Sequence, residues 1–129
     1  MLDPEKALEI AELARLEAKK FFGIPAEIKI NLTATRREEN HLAQVFYMDA
    51  YLVADIHFDP SQMESFQELW EVIAHEVAHL ESREILHVVQ VLEREKHPLF
   101  DQLNAGVEKL TVRRTRDFVK AHPYQEVNP

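Results

Sequence analysis

Hydrophobic and polar residues alternate with two different periods along this chain, and the periods divide it into helices and strands. Residues 4–22 carry apolar side chains at steps of three and four, which predicts an amphipathic helix. Asp3, followed by a proline, is a typical helix N-cap, and Gly23 is typical of the position just after a helix. The stripe expected to face the core consists of Leu8, Ala11, Ala14 or Arg15, and Ala18.

Alternation with a period of two predicts β-strands in the next part of the chain. Residues 26–33 form one strand, and residues 41–48 and 51–58 form two more that we expect to pair as a hairpin. If the strand of residues 51–58 lies at the sheet edge, its free backbone groups could pair with an extended peptide; otherwise it is a structural strand. Its core-facing side should carry Leu52, Ala54, Ile56 and Phe58.

Helical periodicity returns in the second half of the chain. The first helix there begins somewhere between two possible capping boxes, Ser61 with Glu64 and Ser65 with Glu68. The phase of its apolar positions shifts in residues 81–84, so we expect a break or a kink at that point.

Pro98 marks the boundary between the helix after this break and a final helix that runs to about Lys120. Residues 121–129 are expected to be a tail. The predicted fold is a single α+β domain, residues 1–129. A small, mostly antiparallel sheet of three or four strands packs on the N-terminal helix, on the helix that precedes the break and on the final helix.

Composition and charge narrow the functional classes. With 129 residues, 46% of them hydrophobic and 29% charged, the chain has the composition of a globular domain. It contains no apolar run of about 18 residues and no signal-peptide pattern, so a cytoplasmic location is expected, with no membrane partner. A net charge of −8 argues against general nucleic-acid binding. Because there is no cysteine, any metal must be held by histidine and carboxylate side chains.

The motif with the clearest chemical meaning is HEVAH, residues 75–79. On a helix, His75 and His79 lie about 40° apart and one turn along the axis, so both imidazoles can reach one metal ion. Glu76 falls within the same arc but too far round to be the natural third ligand of a tetrahedron. It is placed to take a proton from a water that the metal activates, as in the HExxH pattern.

A protein zinc site needs a third side chain in addition to two histidines. Glu108 is the best candidate because it shares one face of the final helix with small or uncharged residues, where a lone carboxylate is either paired or bound to a metal. Asp101 lies on the same face and is the second candidate, as a ligand or as an acceptor for a histidine N–H. His87 is excluded unless the helix bends sharply, because an unbroken helix would place it about 12 Å beyond His79.

HEVAH, followed 29 residues after His79 by Glu108 on a separate helix, resembles the gluzincin class of zinc metallopeptidases. The order of helix, strands, HExxH helix and glutamate helix resembles the minigluzincins and the ImmA/IrrE-type metallopeptidase domain. The resemblance implies a zincin-like fold in which His75, His79 and Glu108 bind one Zn²⁺ ion and Glu76 is the general base. It covers roughly residues 51–120 by order of elements, with sequence specificity confined to HEVAH.

These observations predict a zinc metallopeptidase that hydrolyses peptide bonds in a peptide or protein substrate, more as an endopeptidase than as an exopeptidase. The alternative is a zinc-stabilised binding or regulatory module without proteolytic activity. In the peptidase, His122 or Glu126 of the tail could occupy the fourth zinc position in a latent form. The residues conceivable for stabilising an oxyanion are His57, Tyr47, Tyr51, Arg113, Arg116 and His122.

Overall fold

Four α-helices and a three-stranded sheet make up the regular structure of residues 2–125, which are the residues described by the computed structural model. Short 3₁₀ turns connect several of them, at Asp49–Tyr51, Pro60–Gln62 and Leu80–Ser82. No helix in this part of the chain is long and apolar enough to cross a membrane. The elements are α1 (Pro4–Phe21), β1 (Lys29–Ala34), β2 (Ala43–Met48), β3 (Val53–Phe58), α2 (Phe66–His79), α3 (Arg83–Arg94) and α4 (Phe100–Ala121).

Helix α1 begins and ends as its sequence predicts. The Asp3 carboxylate accepts a hydrogen bond from the Lys6 backbone N–H at 3.0 Å, and Gly23 follows the helix with a φ of 65°. The predicted position of Leu8 in the core is wrong, because Leu8 is 46% exposed and the buried stripe includes Ala7 in its place. Small side chains on this stripe allow α1 and α2 to approach closely. The stripe consists of Ala7, Ala11, Ala14 and Ala18.

The sheet has the strand order β1-β3-β2 and is mixed. Strands β2 and β3 form the predicted antiparallel hairpin, whereas β1 pairs with β3 in parallel. The expectation of a mostly antiparallel sheet is therefore wrong for one of its two strand pairs. The suggestion that residues 51–58 form an edge strand is also wrong, because β3 is central and β2 is an edge. Ala54, Ile56 and Phe58 are fully buried, as predicted for the inner face of β3, but the prediction is wrong for Leu52, which precedes the strand and is 41% exposed.

Helix α2 carries the HEVAH motif and uses the second of the two predicted capping boxes. Ser65 is the N-cap, and its hydroxyl accepts a hydrogen bond from the Glu68 backbone N–H at 3.1 Å. The helix buries its apolar face, including Ile73 and Val77. It ends at His79, and the 3₁₀ turn Leu80–Ser82 separates it from α3, which confirms the predicted break.

Helix α4 runs antiparallel to α2 and is not interrupted at Gly106. Its C-terminal half is held against α2 by Phe118, whose ring stacks on Trp70 with centroids 5.9 Å apart. The Arg114 guanidinium donates to both carboxylate oxygens of Glu81 at 2.8 and 2.9 Å, which joins α4 to the turn after α2. These contacts fix the rotation of α4 about its axis.

The loop that leads into β2 is held by a buried carboxylate. Asp59 is 3% exposed and accepts hydrogen bonds from the Arg37 backbone N–H, the Ser61 hydroxyl and the Gln62 side-chain amide. Hydrogen bonds from Ser61 and Gln62 are the main reason why the pKa of Asp59 falls from 3.8 to about 2. Ionised Asp59 therefore stabilises the start of the edge strand.

Replacing Asp59 by Asn should lower the free energy of unfolding by about 1–3 kcal/mol at pH 7, because the added amide N–H groups face other donors. Since the folded-state pKa is depressed, the contribution is complete above pH 3.8 and is lost as the pH falls towards about 2. Urea denaturation of wild type and Asp59→Asn across this range should give two stability curves that converge in acid. Asp101→Asn, at an exposed position, is the control; equal stability of wild type and Asp59→Asn at pH 7 would contradict the assignment.

Candidate metal centre

The packing of α4 along α2 brings the three predicted ligands together. The Nε2 atom of His75 lies 3.0 Å from one carboxylate oxygen of Glu108, and the Nε2 atom of His79 lies 2.9 Å from the other. Donor atoms of His75, His79 and Glu76 lie within 4.8 Å of one another. Asp101, the second candidate for the third ligand, is exposed and is not among the residues that line this site.

Two threonines of α4 contact the Nδ1 side of the two imidazole rings. The hydroxyl oxygen of Thr111 lies 3.3 Å from Nδ1 of His79, and that of Thr115 lies 3.5 Å from Nδ1 of His75. Each hydroxyl donates its own hydrogen to the backbone carbonyl four residues earlier, at 2.8 Å for Thr111 and 2.7 Å for Thr115. Both threonine oxygens are therefore placed to accept, not donate, at the histidine ring.

This arrangement determines the tautomer of both rings. A threonine oxygen that accepts from Nδ1–H leaves Nε2 of a neutral imidazole with a lone pair. Those lone pairs of His75 and His79 point at the negatively charged carboxylate of Glu108. Contacts of 2.9–3.0 Å between such groups are favourable only when a proton or a metal cation lies between them.

The electrostatics of the site agree with a proton in this position. Hydrogen bonds from His75 and His79 hold the pKa of Glu108 well below its usual range. Burial lowers the pKa of His75, but the hydrogen bond to Glu108 and the charges of Glu76 and Glu108 outweigh it and raise the pKa above 6.5. The site thus attracts positive charge.

The donor set fits zinc. Two imidazole nitrogens and a carboxylate are a common ligand set of catalytic zinc sites, which keep a further position open. A tetrahedral ion with bonds of about 2.0–2.2 Å separates its ligand atoms by roughly 3.3–3.6 Å. The present separations of 3.0 and 2.9 Å are shorter by a few tenths of an ångström, so small side-chain movements suffice to admit the ion.

Glu76 lies beside the three ligands and is only 7% exposed. Burial raises the pKa of its carboxyl group, although the nearby charges of His79 and His75 and a hydrogen bond from the Val45 backbone N–H oppose the rise. A carboxylate with a raised pKa takes up a proton more readily near neutral pH. Such a group suits general base and general acid chemistry.

The site opens into a cleft of about 980 Å³ between α2, α3, α4 and the free edge of β2. Arg116 lines this cleft, unlike the other residues considered for oxyanion stabilisation. His122, predicted as a possible latent zinc ligand, contacts Phe21 and Phe118 and is not among the residues that line the cleft. Glu126, the other predicted tail ligand, lies outside the described residues.

Sequence reasoning missed the roles of Thr111 and Thr115. Helical spacing contained the signal, because residues three and seven positions after Glu108 lie on nearly the same face as the carboxylate. A search for hydroxyl groups one and two turns beyond the glutamate would have found both threonines.

No family model, curated protein or solved structure matches this chain. The assignment of the site therefore depends on the residues and distances described above.

Replacing Thr111 by Val should weaken zinc binding by about tenfold to a hundredfold, because His79 loses the acceptor that holds its ring and tautomer. Titration calorimetry with zinc at neutral pH measures this change. Thr33→Val, at an exposed position of β1, should bind zinc as the wild type does. An unchanged dissociation constant for Thr111→Val would show that the threonine does not orient the ligand.

Proposed function

We propose that this chain is a zinc-dependent metallopeptidase with a zincin-like fold, related in its site to the gluzincins. His75, His79 and Glu108 would hold one Zn²⁺ ion, and Glu76 would be the general base. One observation carries the proposal: two Nε2 atoms and a carboxylate from a separate helix converge beside a buried glutamate in an open cleft. A peptide or a protein would be the substrate.

A bound zinc ion supplies Lewis-acid activation of water and of the substrate carbonyl. Glu76 takes a proton from the attacking water and returns it to the amine that leaves, for which its raised pKa is suited. Arg116 is the candidate for stabilising negative charge on the carbonyl oxygen, because it lines the same cleft.

The edge strand β2 provides the surface for the substrate backbone. It borders the cleft at Ala43, Gln44 and Val45, and the Val45 N–H is directed at Glu76. An extended peptide added to this edge would place a peptide bond next to the general base. The sequence had suggested β3 as the strand that pairs with the substrate; we assign this role to β2.

Replacing Glu76 by Gln should reduce zinc-dependent peptide hydrolysis by at least about a hundredfold and leave zinc binding intact, because Gln cannot accept the proton. His79→Ala should lose both hydrolysis and tight zinc binding. The measurements are mass spectrometry of peptide products and the zinc content of the purified proteins. Glu64→Gln, at an exposed position outside the cleft, is the matched control.

Two outcomes would contradict the peptidase. Wild type and Glu76→Gln that both retain zinc and are equally inert towards a broad peptide mixture would favour a zinc-stabilised binding or regulatory module. A chelator that changes neither the metal content nor the melting temperature would contradict both the zinc peptidase and the zinc-stabilised module, because a metal that binds only the folded state must stabilise it.

A further inference from the structure

The free edge of β2 offers backbone groups at alternate residues. In an antiparallel pair, the N–H and C=O of one residue point to the same side, and successive residues alternate. Both backbone groups of Tyr47 point away from β3, towards α3. The outward-facing positions of β2 are therefore Ala43, Val45 and Tyr47.

One of these three positions is closed by a side chain. The Tyr47 N–H donates to the amide oxygen of Gln90 at 3.0 Å, and the Gln90 amide nitrogen donates to the Tyr47 carbonyl at 3.2 Å. A neighbouring antiparallel strand would make the same pair of hydrogen bonds. Gln90 is held in place because α3 buries Leu86 and Val89, which lie four residues and one residue before it. The edge is thus closed at Tyr47 and open at Ala43, and between them the Val45 N–H is directed at Glu76.

The direction of β2 relates this closure to the metal centre. Val45 faces Glu76, and Tyr47 faces α3, which follows the C-terminal end of α2. Ala43 therefore lies towards the N-terminal half of α2. A peptide paired antiparallel to β2, the commoner arrangement, would direct its amino end towards Gln90 and its carboxyl end past Ala43.

Charges along the cleft agree with this orientation. Glu93, one turn beyond Gln90, is the acidic residue that lines the closed end and could pair with a free amino group. The open end carries more positive than negative side chains, which suits the carboxyl side of a peptide. These are Arg37, Arg116 and Lys120, together with Glu68 and Glu71.

We propose that Gln90 restricts the substrates to peptides with about two residues, or fewer, on the amino side of the bond that is cut. Gln90 is then a specificity-determining residue, and Glu93 binds the free amino terminus. The inference rests on the proposed peptidase function. It replaces the endopeptidase expected from the sequence with an enzyme that acts near the amino ends of peptides.

The test uses the zinc-loaded full chain and a mixture of unstructured synthetic peptides of about ten residues, with free or acetylated amino ends. For the wild type, mass spectrometry should find zinc-dependent cleavage after the first or second residue, at least about tenfold slower on acetylated peptides. Gln90→Ala should raise internal cleavage about tenfold relative to amino-end cleavage, since a longer peptide gains two backbone hydrogen bonds with Tyr47. Gln102→Ala, at an exposed position of α4, should match the wild type.

Hydrogen exchange tests the closure without any peptide. The Tyr47 amide should be protected in the wild type and should exchange at least about tenfold faster in Gln90→Ala, with an unchanged melting temperature showing that the variant is folded. Unchanged exchange at Tyr47 would overturn the proposed closure.

The two proposals fail in different ways. Internal cleavage by the wild type without preference for amino ends, or an identical product pattern for Gln90→Ala, would overturn the role of Gln90 and leave the peptidase intact. Glu93→Gln that still favours free over acetylated amino ends would overturn the role of Glu93. The absence of zinc-dependent cleavage by any of these proteins would overturn the peptidase and this inference together.

Discussion

The candidate site depends on the rotation of α4 against α2. The stacking of Phe118 on Trp70 fixes that rotation near the C-terminal end of α4, and a straight helix carries it back to Glu108. A rotation by one residue, about 100°, would turn the carboxylate away from His75 and His79 and leave the largely buried His79 without its acidic partner. The same aromatic contact therefore stabilises the core and positions the third ligand.

The break after α2 shapes the cleft. A continuous helix would carry the chain beyond the sheet, whereas the 3₁₀ turn Leu80–Ser82 redirects it so that α3 packs beside β2. Gln90 can then reach the backbone of Tyr47. Because Arg114 of α4 pairs with Glu81 in this turn, the helix that carries Glu108 also holds the wall of the cleft. The candidate metal ligands and Gln90, which closes one end of the edge strand, are thus connected through α4 and this turn.

Local sequence features were sufficient to predict the elements and the three residues that meet at the candidate site. Helix caps and apolar spacing depend on residues a few positions apart, so α1, α2, α4 and the break between α2 and α3 could be predicted. Helix phase alone identified Glu108. Strand order could not be predicted, because the parallel pairing of β1 with β3 depends on packing between distant segments. The contacts of Thr111 and Gln90 were missed for the same reason, since their partners lie on other elements.

Glu76 is the residue of the candidate site that a structural metal site would not need. His75, His79 and Glu108 would supply the contacts that hold a cation, and the Thr111 and Thr115 oxygens lie beside the two rings. Glu76 adds a second carboxylate to this group, where burial opposes its ionisation and the charge of Glu108 raises its pKa further. A site that only holds a structural metal does not need this buried carboxylate, because an apolar residue at the same position would avoid the free-energy cost of burying it. A hydrolase needs such a proton acceptor beside the ion, which supports the catalytic interpretation.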